Sequence, residues 1–222
     1  MTAIPEHASE VITETWDDGS KRAAFYQIDG QDVAYRWWDE DGYLALEYGI
    51  QNGVMHGTFR TWYENGQICE ESTYDNGKEH GISKQYDAEG NLIGAYTMEH
   101  GSGLDLWFSA RGVIAEERYY VDGQRHGFER WWNSDNATIW MEGHFRHDEE
   151  HGIFREWNAQ GRLCRGFPRY MVAGRKVDKR QYQRACRADP SLPPFVLSEN
   201  RPQRQAPPAA FTPPDAAPDS AE

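Results

Sequence analysis

Histidine, cysteine and paired carboxylates are where chemistry would start. The richest run of them is His144-Phe145-Arg146-His147-Asp148-Glu149-Glu150-His151. Folded across a hairpin tip, His144, His147 and His151 could converge on zinc or nickel. Their spacing is not that of a helical zinc-protease motif, and acidic hairpin tips are common, so no metal is assigned. A second histidine set, His56, His80, His126 and His151, recurs at regular intervals. Two strands separate equivalent atoms by about 10 Å, too far for ligands of one ion. These histidines are expected to bond the neighbouring hairpin instead. Cys69, Cys164 and Cys186 lack the Cys/His arrangement of a thiol enzyme. Serine-hydrolase, Walker and dinucleotide-binding glycine motifs do not occur. Carboxylate pairs such as Glu70-Glu71 and Glu116-Glu117 are present, but a catalytic site also needs concavity and convergent groups. The expectation is a protein that is not an enzyme, with no cofactor and no evident small-molecule substrate.

What positions these residues is a repeat. With Gly57 at position zero, His56 precedes it, Trp62 follows at +5, Gly66 at +9 and Ile68 at +11. Gly81, Gly103, Gly127 and Gly152 begin further copies, and Val33 begins an earlier, weaker one. Successive zero positions lie 24, 24, 22, 24 and 25 residues apart. Position +5 is aromatic throughout: Trp38, Trp62, Tyr86, Phe108, Trp132 and Trp157. The segment around Trp16, Gly19 and Phe25 reads as a partial capping copy. Glu64-Asn65-Gly66-Gln67 and Asp75-Asn76-Gly77-Lys78 read as Asn-Gly hairpin turns with positive φ at both central residues. Two turns per period leave two strands of roughly 6–8 residues. The fold expected is all-β, an extended antiparallel meander of about six stacked hairpins.

The segments Thr-Trp-Tyr-Glu-Asn-Gly-Gln (61–67) and Tyr-Asp-Asn-Gly-Lys-Glu-His-Gly (74–81) resemble the MORN repeat. More closely, they resemble its bacterial variant found in YwqK-type antitoxins. The resemblance spans roughly residues 26–166. It implies an interaction module, and in the antitoxin case one that binds and neutralises a toxin protein. Ser102, Glu99 and Asn136 depart from the repeat frame, so a bend of the sheet is expected there.

Beyond Gly161 the frame stops. Arg169 to Val172 reads as a last strand and Ala173-Gly174-Arg175-Lys176 as its turn. Asp178 is a good N-cap for a helix running to about Ala188, with Tyr182, Ala185 and Cys186 on one face. This strand-turn-helix would cover the sheet edge. The resulting plan is a flexible stretch over 1–10, the repeat domain over 11–166, the cap over 167–190 and a disordered proline- and alanine-rich tail over 191–222.

Charge bears on partners. The 222-residue chain has a net charge of -13. Residues 1–159 hold 12 Lys and Arg against 30 Asp and Glu, whereas residues 160–205 hold 11 against 3. An acidic body repels nucleic acid and argues against a membrane surface. It favours a basic protein partner, while the basic segment is expected to lie on the acidic body of its own chain. The three cysteines and the absence of an N-terminal apolar run fit a cytoplasmic setting.

The strand period of two puts +1, +3 and +5 on one face and +2 and +4 on the other. Position +3 is basic in Arg36, Arg60, Lys84, Arg130 and Arg155, and is expected to pair with Glu70, Glu116 or their neighbours. Tyr35, Trp37, Phe59, Trp107, Trp131 and Phe154 occupy the other face, amid acids, and are the candidate partner-binding residues. The competing reading makes that face the core. A general protein scaffold or a membrane-associated one is the first alternative function, and a metal-dependent or carbohydrate-acting enzyme the second.

Overall fold

The computed structural model describes residues 4–207. Among these the chain forms 17 strands, one α-helix and a short 3-10 turn, arranged as an antiparallel meander of hairpins. It divides into two compact units, residues 4–101 and 102–207.

The first unit holds β1 (Ser9–Thr15), β2 (Lys21–Ile28), β3 (Gln31–Trp38), β4 (Leu44–Gln51), β5 (Val54–Trp62), β6 (Ile68–Asp75), β7 (Lys78–Glu79), β8 (Gly81–Tyr86) and β9 (Leu92–Glu99). Consecutive strands pair antiparallel, β6 pairing with both β7 and β8. The second unit holds β10 (Ser102–Phe108), β11 (Ile114–Val121), β12 (Gln124–Trp132), β13 (Ile139–Arg146), β14 (Glu149–Glu150), β15 (Gly152–Glu156), β16 (Arg169–Val172) and β17 (Arg175–Val177). It ends in helix α1 (Lys179–Ala188) and the 3-10 turn Leu197–Asn200. The partial copy around Trp16 is the β1–β2 hairpin, turned at Gly19.

Two kinds of turn alternate. At one kind both central residues have positive φ, as at Asn76 (49°) and Gly77 (82°) and at Asp122 (59°) and Gly123 (83°). These are the tight two-residue turns that suit right-twisted strands. The other kind corrects the reading of Glu64-Asn65-Gly66-Gln67. There only Gly66 has positive φ (82°), while the Tyr63 amide bonds the Gln67 carbonyl and the Gly66 amide bonds the Tyr63 carbonyl. This is the longer loop ending in a glycine bulge, and the Asn65 side chain instead accepts from the Gln67 amide.

Each bulge displaces the register by one residue just before +5. The aromatic there then meets an aliphatic across the turn: Trp38 opposite Leu44, Trp62 opposite Ile68, Tyr86 opposite Leu92, Phe108 opposite Ile114 and Trp132 opposite Ile139. Such cross-strand pairs are the unit of sheet stability. The two-residue turns are tied to the preceding repeat. The Asn76 amide donates to His56 Nδ1 (3.4 Å), the His100 amide to His80 Nδ1 (3.2 Å), and the Ala173 amide to His151 Nδ1 (3.2 Å). Ser102 stands where the histidine is missing and takes the same role, accepting from the Asp122 amide at 2.9 Å. His56, His80 and His151 therefore bond the next hairpin, whereas His126 Nδ1 is buried with no hydrogen-bond partner among the described residues and its ring meets His147 edge-on at 5.2 Å.

The +3 bases run in a charge ladder across directly paired strands. In the first unit Arg36, Glu47, Arg60, Glu71 and Lys84 follow one another, with Arg36–Glu47 at 2.6 Å and Arg60–Glu71 at 2.5 Å. In the second the order is Leu106, Glu117, Arg130, Glu142 and Arg155. The register selects Glu71 and Glu117, the neighbours of Glu70 and Glu116, which fall on the other face.

The strand-turn-helix cap forms at Arg169 to Ala188. Asp178 and Gln181 make a reciprocal capping box, and Ala173 (φ 47°) and Gly174 (φ 68°) make the turn. Tyr182, Ile153, Tyr170 and Leu192 form a core cluster, with Ala185 and Cys186 against it. The tail expected to be disordered from residue 191 divides. Residues 191–207 lie on the second unit: Leu192 is buried, the Trp157 indole donates to the Asn200 carbonyl at 2.8 Å, and Arg204 reaches Glu142 at 2.9 Å. Buried apolar surface and ion pairs offset the entropy that proline-rich composition otherwise leaves uncompensated. Residues 208–222 of that tail lie outside the described residues.

Candidate partner-binding surface

In the first unit, β2 to β5 place Phe25, Tyr35, Tyr48 and Phe59 in one directly paired row. Tyr35 lies 5.0 Å from both Phe25 and Tyr48, ring centre to ring centre, and Phe59 lies 5.8 Å from Tyr74. Trp37, in the next row, meets Trp16 edge-on at 6.2 Å. All of these rings are half-buried: each packs on its neighbours by one side and faces water by another. Partial burial pushes the Tyr35 and Tyr48 hydroxyls up, and the Glu14 carboxylate adds to the effect at Tyr35. They remain neutral hydrogen-bonding groups at the rim of an apolar strip.

In the second unit the row equivalent to that of Trp37 runs Trp107, Glu116, Trp131, Met141 and Glu156. Trp107 is 40% exposed and Trp140 42% exposed. Trp140 stacks on Trp131 with ring centres 5.4 Å apart and planes 23° from parallel. Glu116, between Trp107 and Trp131 in the row, is held by Arg118, which also reaches Asp105 and Glu129.

The structure thus brings Tyr35, Trp37 and Phe59 together in the first unit, and in the second leaves Trp107 exposed and Trp131 half-buried against Trp140. Phe154 is a correction. It is 3% exposed and its ring fills the space above Gly143, where a Cβ would meet the ring at 2.5 Å. Phe145 packs edge-on to it at 5.5 Å. Phe154 is core and is closed to a partner. Phe25, Tyr48 and Trp140 belong with the surface residues, and single-position reading missed them. The signal for Tyr48 was its place directly opposite Tyr35 and Phe59, which only the register reveals.

The three histidines of the 144–151 run do not converge. His144 Nδ1–H donates to the Ile153 carbonyl at 3.0 Å, His147 Nδ1 pairs with Gln124 Oε1 at 2.9 Å, and His151 lies between the Ala173 amide and Ser191 Oγ. Among the described residues no three His, Cys, Asp or Glu side chains are grouped to hold a metal. Burial lowers both the His144 and the His151 pKa, so each favours the neutral ring.

The basic segment only partly lies on the acidic body. Arg204 pairs with Glu142, whereas Arg175, Lys176, Lys179, Arg180, Arg184 and Arg187 are exposed around the cap.

Fold and surface together define an antiparallel hairpin-repeat protein with solvent-facing aromatic rows. The family model described as MORN repeat variant matches residues 55–76, which run from β5 through β6 to the first residue of the Asn76-Gly77 turn. The chain therefore carries a MORN-type repeat, and the other copies share its frame. No curated protein matches the chain.

Proposed function

We propose that this protein is a non-catalytic protein-binding module whose partner seats on the aromatic rows. The observation that carries this reading is the row Phe25–Tyr35–Tyr48–Phe59, half-open to solvent on a rigid sheet. Aromatic side chains that bury much area with few rotamers are the usual anchors of protein interfaces. MORN-type repeats as a class serve interaction, and the row offers a surface rather than a reaction centre.

The partner is a basic protein. Residues 1–101 carry 6 Lys and Arg against 19 Asp and Glu, a net of -13, which steers a cationic surface and repels nucleic acid. The resemblance to YwqK-type antitoxins gives the finer form: capture of a toxin, covering its active surface, in the cytoplasm. The test is isothermal titration of the captured partner against the wild type and against Tyr35→Ala/Phe59→Ala, over a salt series. The reading requires a one-to-one complex, weakened at least tenfold by the double variant, with an association rate that falls as salt rises. A rate indifferent to salt would remove the basic partner, and unchanged affinity in a folded variant would remove the aromatic row.

A further inference from the structure

We propose that Trp131, Trp140 and Glu156 form a receptor for a guanidinium or ammonium side chain of the partner protein. This rests on the protein-binding reading and names the chemistry of one contact in it.

The chain repeatedly covers its own aromatic rings with cations. Lys21 lies over Trp38, Arg22 over Trp16, Arg130 over Phe128, Lys179 over Phe195 and Arg204 over Trp157, at 3.7–5.6 Å from the ring centres. Among the described residues no such cation covers Trp131 or Trp140. These two rings are nevertheless stacked nearly parallel, and Trp140 is among the most exposed large side chains. The open outer face of a stacked indole attracts a cation through its ring quadrupole, and Trp does so best.

The charge beside the rings completes the site. Trp131, Met141 and Glu156 are direct neighbours on three adjacent strands, β12, β13 and β15. Each step is about 5 Å, so Glu156 stands within about 10 Å of Trp131, and its charge favours a cation held over the indoles with its stem along Met141. Asp105, Glu116 and Glu129 already share Arg118. Glu156 has no basic partner among the described residues. Its neighbour is Cys164, whose thiol is pushed up by partial burial and then by the Glu156 charge. An open indole face, a thioether and a carboxylate bonded, among the described residues, only to a neutral thiol lie side by side: the rings take the cationic head, the thioether takes the stem and the carboxylate adds charge attraction.

The test uses the full chain and a short peptide of alternating glycine and arginine, with its citrulline analogue as the neutral control. Binding is followed by the indole N–H resonances. The arginine peptide shifts the Trp131 and Trp140 signals and the citrulline peptide does not. Trp140→Ala and Glu156→Gln each weaken binding about threefold to thirtyfold. Trp140 is exposed enough for its removal to leave the fold intact, and E156Q changes no shape. The control Glu40→Gln/Glu64→Gln, at acidic turns of the first unit, leaves binding within twofold. Equal binding of the citrulline peptide, or equal loss in the control variant, overturns the inference. Undiminished capture of a stoichiometric partner by W140A and E156Q overturns it while leaving the protein-binding reading in place. Arginine-selective binding at these indoles without any captured partner supports the receptor and removes that reading.

Discussion

Replacing Glu142 by glutamine removes one negative charge from a point where three arginines meet. Arg130 reaches the carboxylate at 2.7 Å, Arg155 at 2.9 Å and Arg204 at 2.9 Å. The Arg155 side chain is 0% exposed. Glutamine keeps the volume and one acceptor oxygen but takes the counter-charge from Arg204 and leaves Arg130 with Glu117 alone and Arg155 with Glu199 alone. Breaking a buried pair from one side costs about 3–5 kcal/mol. The shift of the Glu142 pKa expresses the same contacts as a second magnitude. Burial by itself would raise the Glu142 carboxyl, but the Arg204 hydrogen bonds and the surrounding positive charge outweigh it and hold the pKa at about 2. Against an ordinary 4.5, and at about 1.4 kcal/mol per unit, that is on the order of 3 kcal/mol. The folded pKa is the lower one, so this stability is present above about pH 4.5 and is lost as pH falls toward 2. Glu117 acts in the opposite sense, since burial raises its pKa despite Arg130. The difference between wild type and variant isolates Glu142. Urea unfolding at pH 7 should find E142Q less stable by about 3–5 kcal/mol, with the gap narrowing below pH 4.5. A gap under about 1 kcal/mol at pH 7, or one unchanged down to pH 3, would refute the reasoning.

Three further outcomes follow from the same packing. Gly143→Ala drives a methyl into the buried Phe154 ring and should cost about 1–3 kcal/mol by urea unfolding, with Phe154→Leu in the same chain recovering part of it. His80→Ala removes the acceptor of the His100 amide and should cost about 1 kcal/mol and speed exchange of that amide, whereas His80→Ser should retain some protection because Ser102 already does this work at the next turn. Ending the chain after Pro190 strips Leu192 from its cluster and Glu199 and Asn200 from Arg155; unfolding should lose at least about 3 kcal/mol, and an unaltered midpoint would mean that residues 191–207 do not hold to the sheet.

Much of this fold was legible because each repeat writes the same physics in the same place. The aromatic at +5, the glycine at zero and the Asn76-Gly77 turn are local requirements, and Asp178 with Gln181 is a local cap. Features fixed by register were harder to read. The bulge before +5 shifts the pairing by one, so Glu71 and Glu117 face the arginines where Glu70 and Glu116 were equally suitable by composition. Phe154 resembled its surface counterparts Tyr35 and Phe59, yet it is buried because Gly143 opposite it leaves a hole to fill. Residues 191–207 read as a solvated tail because four large apolar residues, Leu192, Phe195, Val196 and Leu197, set among prolines and scattered charges carry no period. Their partners, Arg155 and Glu142, lie more than forty residues back along the chain. The surface was half legible: Tyr35, Trp37, Phe59, Trp107 and Trp131 stood out by type, whereas Tyr48 and Trp140 joined them only through pairing and stacking.

The central claim is that the aromatic rows bind a protein. Affinity capture of the tagged full chain from its own cells, with mass spectrometry, tests it most directly when run beside Tyr35→Ala/Phe59→Ala. The account predicts one stoichiometric, basic partner, lost from the variant while its circular dichroism matches the wild type. A capture empty of stoichiometric protein, or a partner retained in full by the folded variant, would contradict it.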